Sequence, residues 1–411
     1  MEKHFRSRYY LVLISSVLGP LSTNALIPIF GQLRLNFYLD SVSLISLAFF
    51  VYMLPFAFIQ LFAGSFSDIV DRKKVVYAGY FIFLLGLLLT FLSVMVRSYF
   101  LFLAGFLFQG IGFAFINPTV LAILSIITPE KKEGLIMGLY NSSAGIGVSG
   151  GALISGLLAN IDWRILFIIN PIITFFSLVF FIYALKQCEA LVCRTYELSG
   201  KNKFENIKSS IIDLFHQISN NLKMNITLLG MLGFFGFFSV ITLTNTLNDQ
   251  IDIAISGLSQ VEITNYVSLI LTINGLISTG ISPFSGYILN KIKPLIMMMI
   301  GFILMIAIIG MPISQSILEF MIISFIIYLG SAFIWPALFK ESMDINPEAR
   351  GTSSAIINSL RFLGYSLVGP MYVILNIPFI YYLVLAFIAF SLIIIIGLRH
   401  FIKESNKKNT K

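Results

Sequence analysis

The side chains in this sequence that could do chemistry are few, and their spacing narrows what that chemistry is. Asp68, Asp71, Arg72, Lys73 and Lys74 crowd into one stretch, Gly64-Ser-Phe-Ser-Asp68-Ile-Val-Asp71-Arg72-Lys73-Lys74. Such a stretch can serve as an electrostatic clasp. Gly64 lets two helices touch, Asp68 can cap a helix N-terminus, and Arg72 offers a fixed cation to a carboxylate elsewhere. Glu341 and Arg361 make a second pair, both inside apolar stretches where charge is costly enough to mark function. At about 1.5 Å per residue, Glu341 lies about 9 Å into its stretch from Pro347, and Arg361 about 15 Å along the next from Gly351, so the two can meet. A carboxylate held this way can titrate, with Arg361 keeping it ionised until a proton or a cationic solute competes. The alternative is a static pair, and Lys340 and Asp344, four residues apart, can likewise pair with each other.

The remaining polar candidates are neutral: Asn24, Gln60, Gln109, Asn117, Asn141, Asn245 and Asn274, with Tyr140 and Trp335. They suit a solute-lined cavity, although amides also tie helices together in lipid. Asn117 and Trp335 precede Pro118 and Pro336, where a kinked helix can lean toward a cavity, and are the strongest binding candidates. Enzyme chemistry lacks its groups. The three His stand near no paired carboxylate or Cys at a useful spacing, and no nucleotide-binding loop is present. Cys188 and Cys193 form a C-x4-C pair without a nearby His, so free thiols and no metal site are expected.

The elements that must position these groups are membrane spans. The 411 residues are 57% hydrophobic and 11% charged, with mean hydropathy +0.92, so a bilayer must supply the solvent. Apolar runs long enough to cross roughly 30 Å of hydrocarbon fall at 9–33, 42–66, 75–96, 99–127, 135–159 and 164–185, then at 224–247, 262–288, 294–313, 317–343, 352–373 and 377–398. The first is too long for a signal-peptide core and lacks a cleavage site before a soluble chain. Residues 186–223 are too charged to span. The chain is thus expected to be an all-α membrane protein of twelve transmembrane helices: an N-terminal six-helix bundle (1–185), a basic cytoplasmic linker (186–223) and a C-terminal six-helix bundle with a cytoplasmic tail (224–411).

Basic residues set the orientation. With the N-terminus inside, 22 of the 27 Lys and Arg fall in inner segments, and only Arg34, Arg97 and Arg164 in outer ones. Both termini are therefore expected in the cytoplasm of a multi-pass cell-membrane protein. The net charge of +8 is explained by topology and anionic lipid, so no nucleic-acid partner is needed. The expected partners are the bilayer and a small-molecule substrate, handled by a monomer.

The sequence also repeats itself. Gly112-Phe-Ala-Phe-Ile-Asn-Pro118, followed by Thr128-Pro129-Glu130-Lys131-Lys132, lies on Gly330-Ser-Ala-Phe-Ile-Trp-Pro336, followed by Asn346-Pro347-Glu348-Ala349-Arg350, at an offset of 218. Phe62-Ala-Gly64 and Asp68 lie on Phe284-Ser-Gly286 and Asn290 at an offset of 222. Duplicated halves predict two bundles that rock about a central cavity.

The stretch from Gly64 to Lys74 resembles the G-x-x-x-D-x-x-G-R-K-K signature of the major facilitator superfamily, with Asp71 at the place of its second Gly. The resemblance implies that this loop clamps the cytoplasmic side in the outward-facing state, with Asp68 near Gly351 and Arg72 near Glu130. Asp162-Trp163-Arg164-Ile-Leu-Phe167-Ile-Ile-Asn170-Pro171 is similar to the opening of the sixth helix in drug-exporting members. Gly19-Pro20-Leu-Ser-Thr-Asn24-Ala-Leu-Ile-Pro28 resembles the first helix of bicyclomycin-resistance-type exporters, with Asn24 in place of their acid. Gln109-Gly110-Ile-Gly112 keeps the fourth-helix pattern with Phe106 in place of its Arg, and Gly147 replaces the Pro of the fifth-helix antiporter motif. The resemblance implies proton-coupled efflux of amphipathic, drug-like compounds, with no cofactor besides the proton. Glu341 and Arg361 are left with the coupling role. The alternative is a carrier of one metabolite or metal-chelating small molecule.

Overall fold

A computed structural model of the chain describes residues 7–69, 71–186, 188, 212, 216, 224–289, 291–345 and 350–409, with backbone alone for 63–69, 130–135, 137, 141, 282, 283, 286, 343–345, 350–352 and 401–409. The described chain is helical. Twelve rods follow one another: α1 (Ser7–Asn36), α2 (Leu47–Ile69), α3 (Arg72–Val96), α4 (Tyr99–Ile127), α5 (Glu130–Ala159), α6 (Leu166–Leu185), α7 (Met224–Ala254), α8 (Gln260–Ile288), α9 (Pro294–Met305, continued as a 3-10 helix over Ile306–Ile313), α10 (Ile317–Ile345), α11 (Arg350–Leu375) and α12 (Phe379–Asn409). An even number of crossings returns the chain to the end where it starts. That is the basic end, and the opposite one is the far end. Of the expected linker over 186–223, only Lys186, Cys188, Ile212 and His216 belong to the described residues.

Eleven helices among the described residues are long and apolar enough to cross a membrane. The twelfth, α11, has the length but carries Asn358, Ser359, Arg361 and Ser366, which make it too polar by that measure. It is tolerated because it packs between α2 and α7, where Ser359 Oγ donates to the Ala57 carbonyl at 2.7 Å and Asn358 Nδ2 to Gln60 Oε1 at 3.1 Å. The span expected to end at 247 is corrected: α7 runs to Ala254. Asn245, Asn248, Asp249 and Asp252 weaken the apolar signal there without breaking the winding.

The packing is duplicated. In the first half α1 packs on α4, α5 and α6, α4 on α2 and α3, and α3 on α6. Adding six to every number gives the contacts of the second half: α7 on α10, α11 and α12, α10 on α8 and α9, and α9 on α12. The halves meet through α2 with α11 and α5 with α8, two contacts that the same renumbering exchanges. Glycine makes the equivalent contacts possible. A Cβ on Gly79 would lie 2.9 Å from the Gly112 carbonyl oxygen in α3–α4, and one on Gly301 would lie 2.6 Å from the Gly330 carbonyl oxygen in α9–α10. These pairs sit at the offsets, 222 and 218, found in the sequence repeat.

Candidate functional site

The centre of the molecule, between the halves, is built around Arg361. The guanidinium carbon lies 4.9 Å from the Phe237 ring centroid, 5.3 Å from Trp335, 5.6 Å from Phe339 and 4.7 Å from Phe362. These rings come from α7, α10 and α11, and pack on one another edge to face: Phe237 is 5.2 Å from Trp335 and 5.5 Å from Phe362. Ring faces attract a cation and partly replace its water, so a half-buried guanidinium is tolerated here. Its Nε is buried and has no hydrogen-bond partner among the described residues. The first half contributes Tyr140 of α5, close enough to Arg361 to feel its charge, whose hydroxyl donates to Asn117 Oδ1 at 2.6 Å. Phe56 of α2 closes the side, 4.7 Å from Phe362. The result is one fixed positive charge in an aromatic cluster, with an amide and a phenol beside it.

The far end is closed by a different device, which begins with a proline. Pro28 tightens α1 into a 3-10 turn over Ile27–Ile29. Carbonyls there are taken up by the other half: Asn248 Nδ2 of α7 donates to the Ile27 oxygen at 2.5 Å, and Thr264 Oγ1 of α8 to the Pro28 oxygen at 2.9 Å. Gln32 Nε2 adds a bond to Thr264 Oγ1 at 2.6 Å. Beside this closure lies a cavity of about 220 Å³, walled by Arg34, Asp40 and Ser41 from the first half and Asn248, Asp249 and Asp252 from α7. The Tyr372 hydroxyl of α11 donates to the Asp249 carboxylate.

The sequence-derived candidates divide between these places. Trp335, Arg361 and Asn117 come together at the centre, with Tyr140. Glu341, half-buried on α10, follows Lys340, whose ammonium donates to the Leu289 carbonyl at 2.9 Å. Asn24 donates to its own helix, Nδ2 to the Pro20 oxygen at 2.9 Å. Gln109 lies inside the first bundle, accepting from Ser22 Oγ at 2.5 Å beside a cavity of about 10 Å³, room for no more than a water. Asn245 is fully buried on α7, with neither amide atom hydrogen-bonded among the described residues.

In the loop, Gly64 and Asp68 belong to the last turns of α2, and Arg72 and Glu130 open α3 and α5; the side chains of Asp68 and Glu130 lie outside the described residues. The cap is Asp71, whose Oδ1 accepts from the Lys73 amide at 2.9 Å, and the Lys73 ammonium donates to the Leu185 carbonyl at the C-terminus of α6, 2.8 Å away. An Asp before a fresh helix is a readable N-cap signal, and it accounts for the departure from Gly at that place. Phe106 is packed 4.8 Å from Phe102, and a Cβ on Gly147 would meet the Val17 carbonyl at 2.6 Å, so a flat α5 face lies against α1. Sequence reasoning missed Asp249. Its signal was an acid spaced seven residues from Thr242 and four from Asn245, on one helical face.

The duplicated twelve-helix arrangement, with polar groups where its halves meet, agrees with a known family. The chain belongs to the Major Facilitator Superfamily, whose profile matches residues 12–370. It is similar to the riboflavin transporter of Clostridioides difficile, 32% identical over 120 residues, which are 29% of this chain and 26% of that one. It is also similar to an uncharacterised MFS-type transporter of Mycobacterium tuberculosis, 21% identical over 365 residues covering 76% of this chain and 60% of the relative. The chain thus spans about a quarter of the first relative's length. Among solved structures, a POT family transporter in complex with 5-aminolevulinic acid superposes with a TM-score of 0.74 over 97% of each chain at 13% identity, a likeness of fold.

Proposed function

We propose that the chain exports amphipathic, drug-like solutes that carry a negative charge, by alternating access coupled to protons. The observation behind this reading is Arg361, a cation ringed by Phe237, Trp335, Phe339 and Phe362 at the junction of the two halves. An aromatic carboxylate would satisfy both parts of such a cluster once the halves part around it, its charge on the guanidinium and its rings on the rings. A lipophilic cation would meet a like charge. In this reading the basic end faces the cytoplasm of the cell membrane, the loop around Asp68 and Arg72 gates it, and one chain suffices. The sequence-derived assignment of Glu341 with Arg361 to proton coupling belongs to the same reading.

A second reading is a carrier of one flat aromatic metabolite. The same ring cluster supports it, as does similarity over 120 residues to a protein named for riboflavin transport. Proteoliposomes holding the purified chain test the proposal with two probes, a naphthalene carboxylate and tetraphenylphosphonium. Movement of the carboxylate under a pH gradient is expected, abolished in Arg361→Ala. Movement of the cation alone would sink the charge assignment, and strong competition by a flavin but not by other aromatic acids would favour the second reading.

A further inference from the structure

We infer that Asp249 is a further proton-binding group of the cycle, besides the Glu341 assigned above, and that its ionised form helps hold the far end shut. The inference rests on the proton-coupled reading above. Asp249 is half-buried at the wall of the far-end cavity, so water reaches it from that side while its carboxylate accepts from the Tyr372 hydroxyl on the other. Across the cavity stands Arg34 of α1, from the opposite half, with its Nε buried and unbonded among the described residues. An acid on one half and a cation on the other thus face one cavity, an attraction across the junction that adds to the neutral bonds of Gln32, Asn248 and Thr264.

A second observation continues the track inward. Asn245 and Thr242, four and seven residues before Asp249, share its face of α7, are fully buried, and keep polar atoms with no hydrogen-bond partner among the described residues. Buried polar groups of that kind are normally satisfied, so a stripe of them leading from a carboxylate suits water or a migrating proton. The titratable and charged groups around Asp249 are Tyr372 on α11, Tyr381 on α12, Arg34 on α1, Asp40 in the α1–α2 connection and Asp252 on α7 itself. From α8 the cavity receives neutral Gln260 and Ile263.

The step is a simple transfer. A hydronium ion in the cavity gives its proton to the Asp249 carboxylate, leaving water and a neutral carboxylic acid, and Arg34 loses one of the two α7 anions that share its cavity, Asp252 being the other. The attraction across the junction is weakened, leaving the hydrogen bonds and the more distal Asp252, and the far end opens. Loss of the proton in the alternate state restores the carboxylate.

Ile263→Cys, in a background with Cys188 and Cys193 replaced by Ser, reports opening, because Ile263 is buried at the cavity wall. Labelling by a membrane-impermeant maleimide, corrected with free cysteine at each pH, is expected to be about tenfold faster at about pH 5.5 than at about pH 8, a modest population shift. Asp249→Asn is expected to label fast at both, and Asp249→Glu to restore the difference. An Asp249→Asn profile identical to the parent's, or a parent with no pH dependence, overturns the inference. Should Ile263→Cys fail to fold, spin labels at the exposed Tyr38 and Ile253 give the same answer as a distance that widens in acid. No substrate enters this experiment, so failure of the charge assignment at Arg361 would show separately, as absent carboxylate transport with labelling unchanged.

Discussion

Arg361 holds its guanidinium carbon 5.3 Å from the centre of the Trp335 ring, and the two residues come from different helices of the second half. A ring contact of this kind contributes about 0.5–2 kcal/mol. Trp335→Ala is therefore expected to weaken carboxylate binding by about three- to thirtyfold, and Arg361→Ala by about a hundredfold through loss of a charge-assisted bond. Arg361→Lys should fall between them, keeping the charge but losing the planar stack. Equilibrium binding to the detergent-purified chain measures this; a Lys variant weaker than the Ala variant would contradict it.

The glycine contacts predict paired damage. Gly112→Ala would push a methyl within 2.5 Å of the Phe83 amide nitrogen, and Gly330→Ala within 2.6 Å of the Gly301 carbonyl oxygen. Each is expected to cost about 1–3 kcal/mol by overpacking and to lower the thermal midpoint. Gly138→Ala meets nothing within 4 Å and should leave the midpoint unchanged. Thermal unfolding followed by thiol or tryptophan fluorescence tells these apart.

Asp71 acts as a helix cap, so Asp71→Ala should destabilise α3 by about 1 kcal/mol while Asp71→Asn is nearly neutral. Hydrogen exchange at the Lys73 amide reads the difference directly. Equal protection in all three proteins would remove the capping role.

Gln32→Ala deletes the bond to Thr264 that ties α1 to α8. With about 0.5–1.5 kcal/mol lost, maleimide labelling at position 263 should rise about threefold at neutral pH yet keep its dependence on acid, because Asp249 is untouched. A flat pH response in this variant would mean that the neutral bonds, not the carboxylate, carry the switch.

Much of this architecture is legible without coordinates. Spans declare themselves through run length, and Gly112 and Gly330 through their shared flanks, because each contact is encoded twice. Arg361 is visible as an intramembrane charge, but apart from the adjacent Phe362 the rings around it arrive from α7 and α10, more than a hundred and about twenty-five residues away, and no local pattern announces them. Asp249 escapes for another reason. Hydropathy ends the span at 247, where polar residues begin, whereas the helix continues because Tyr372 and the α1 carbonyls give those residues partners. The Asp71 cap was obscured by expecting a glycine there.

The two hairpins, finally, need not have equal lengths to reach the same surface. Beyond its glycine contact α3 takes seventeen more residues to Val96, about 26 Å of α-helix, while the second hairpin has only twelve from Gly301 to Ile313. Winding the last eight as a 3-10 helix at about 2 Å per residue stretches those twelve to about 22 Å. Tighter coiling thus recovers about half of the length that a shorter chain would have lost, and a return of Ile306–Ile313 to α-helical pitch would shorten that corner of the protein by about 4 Å.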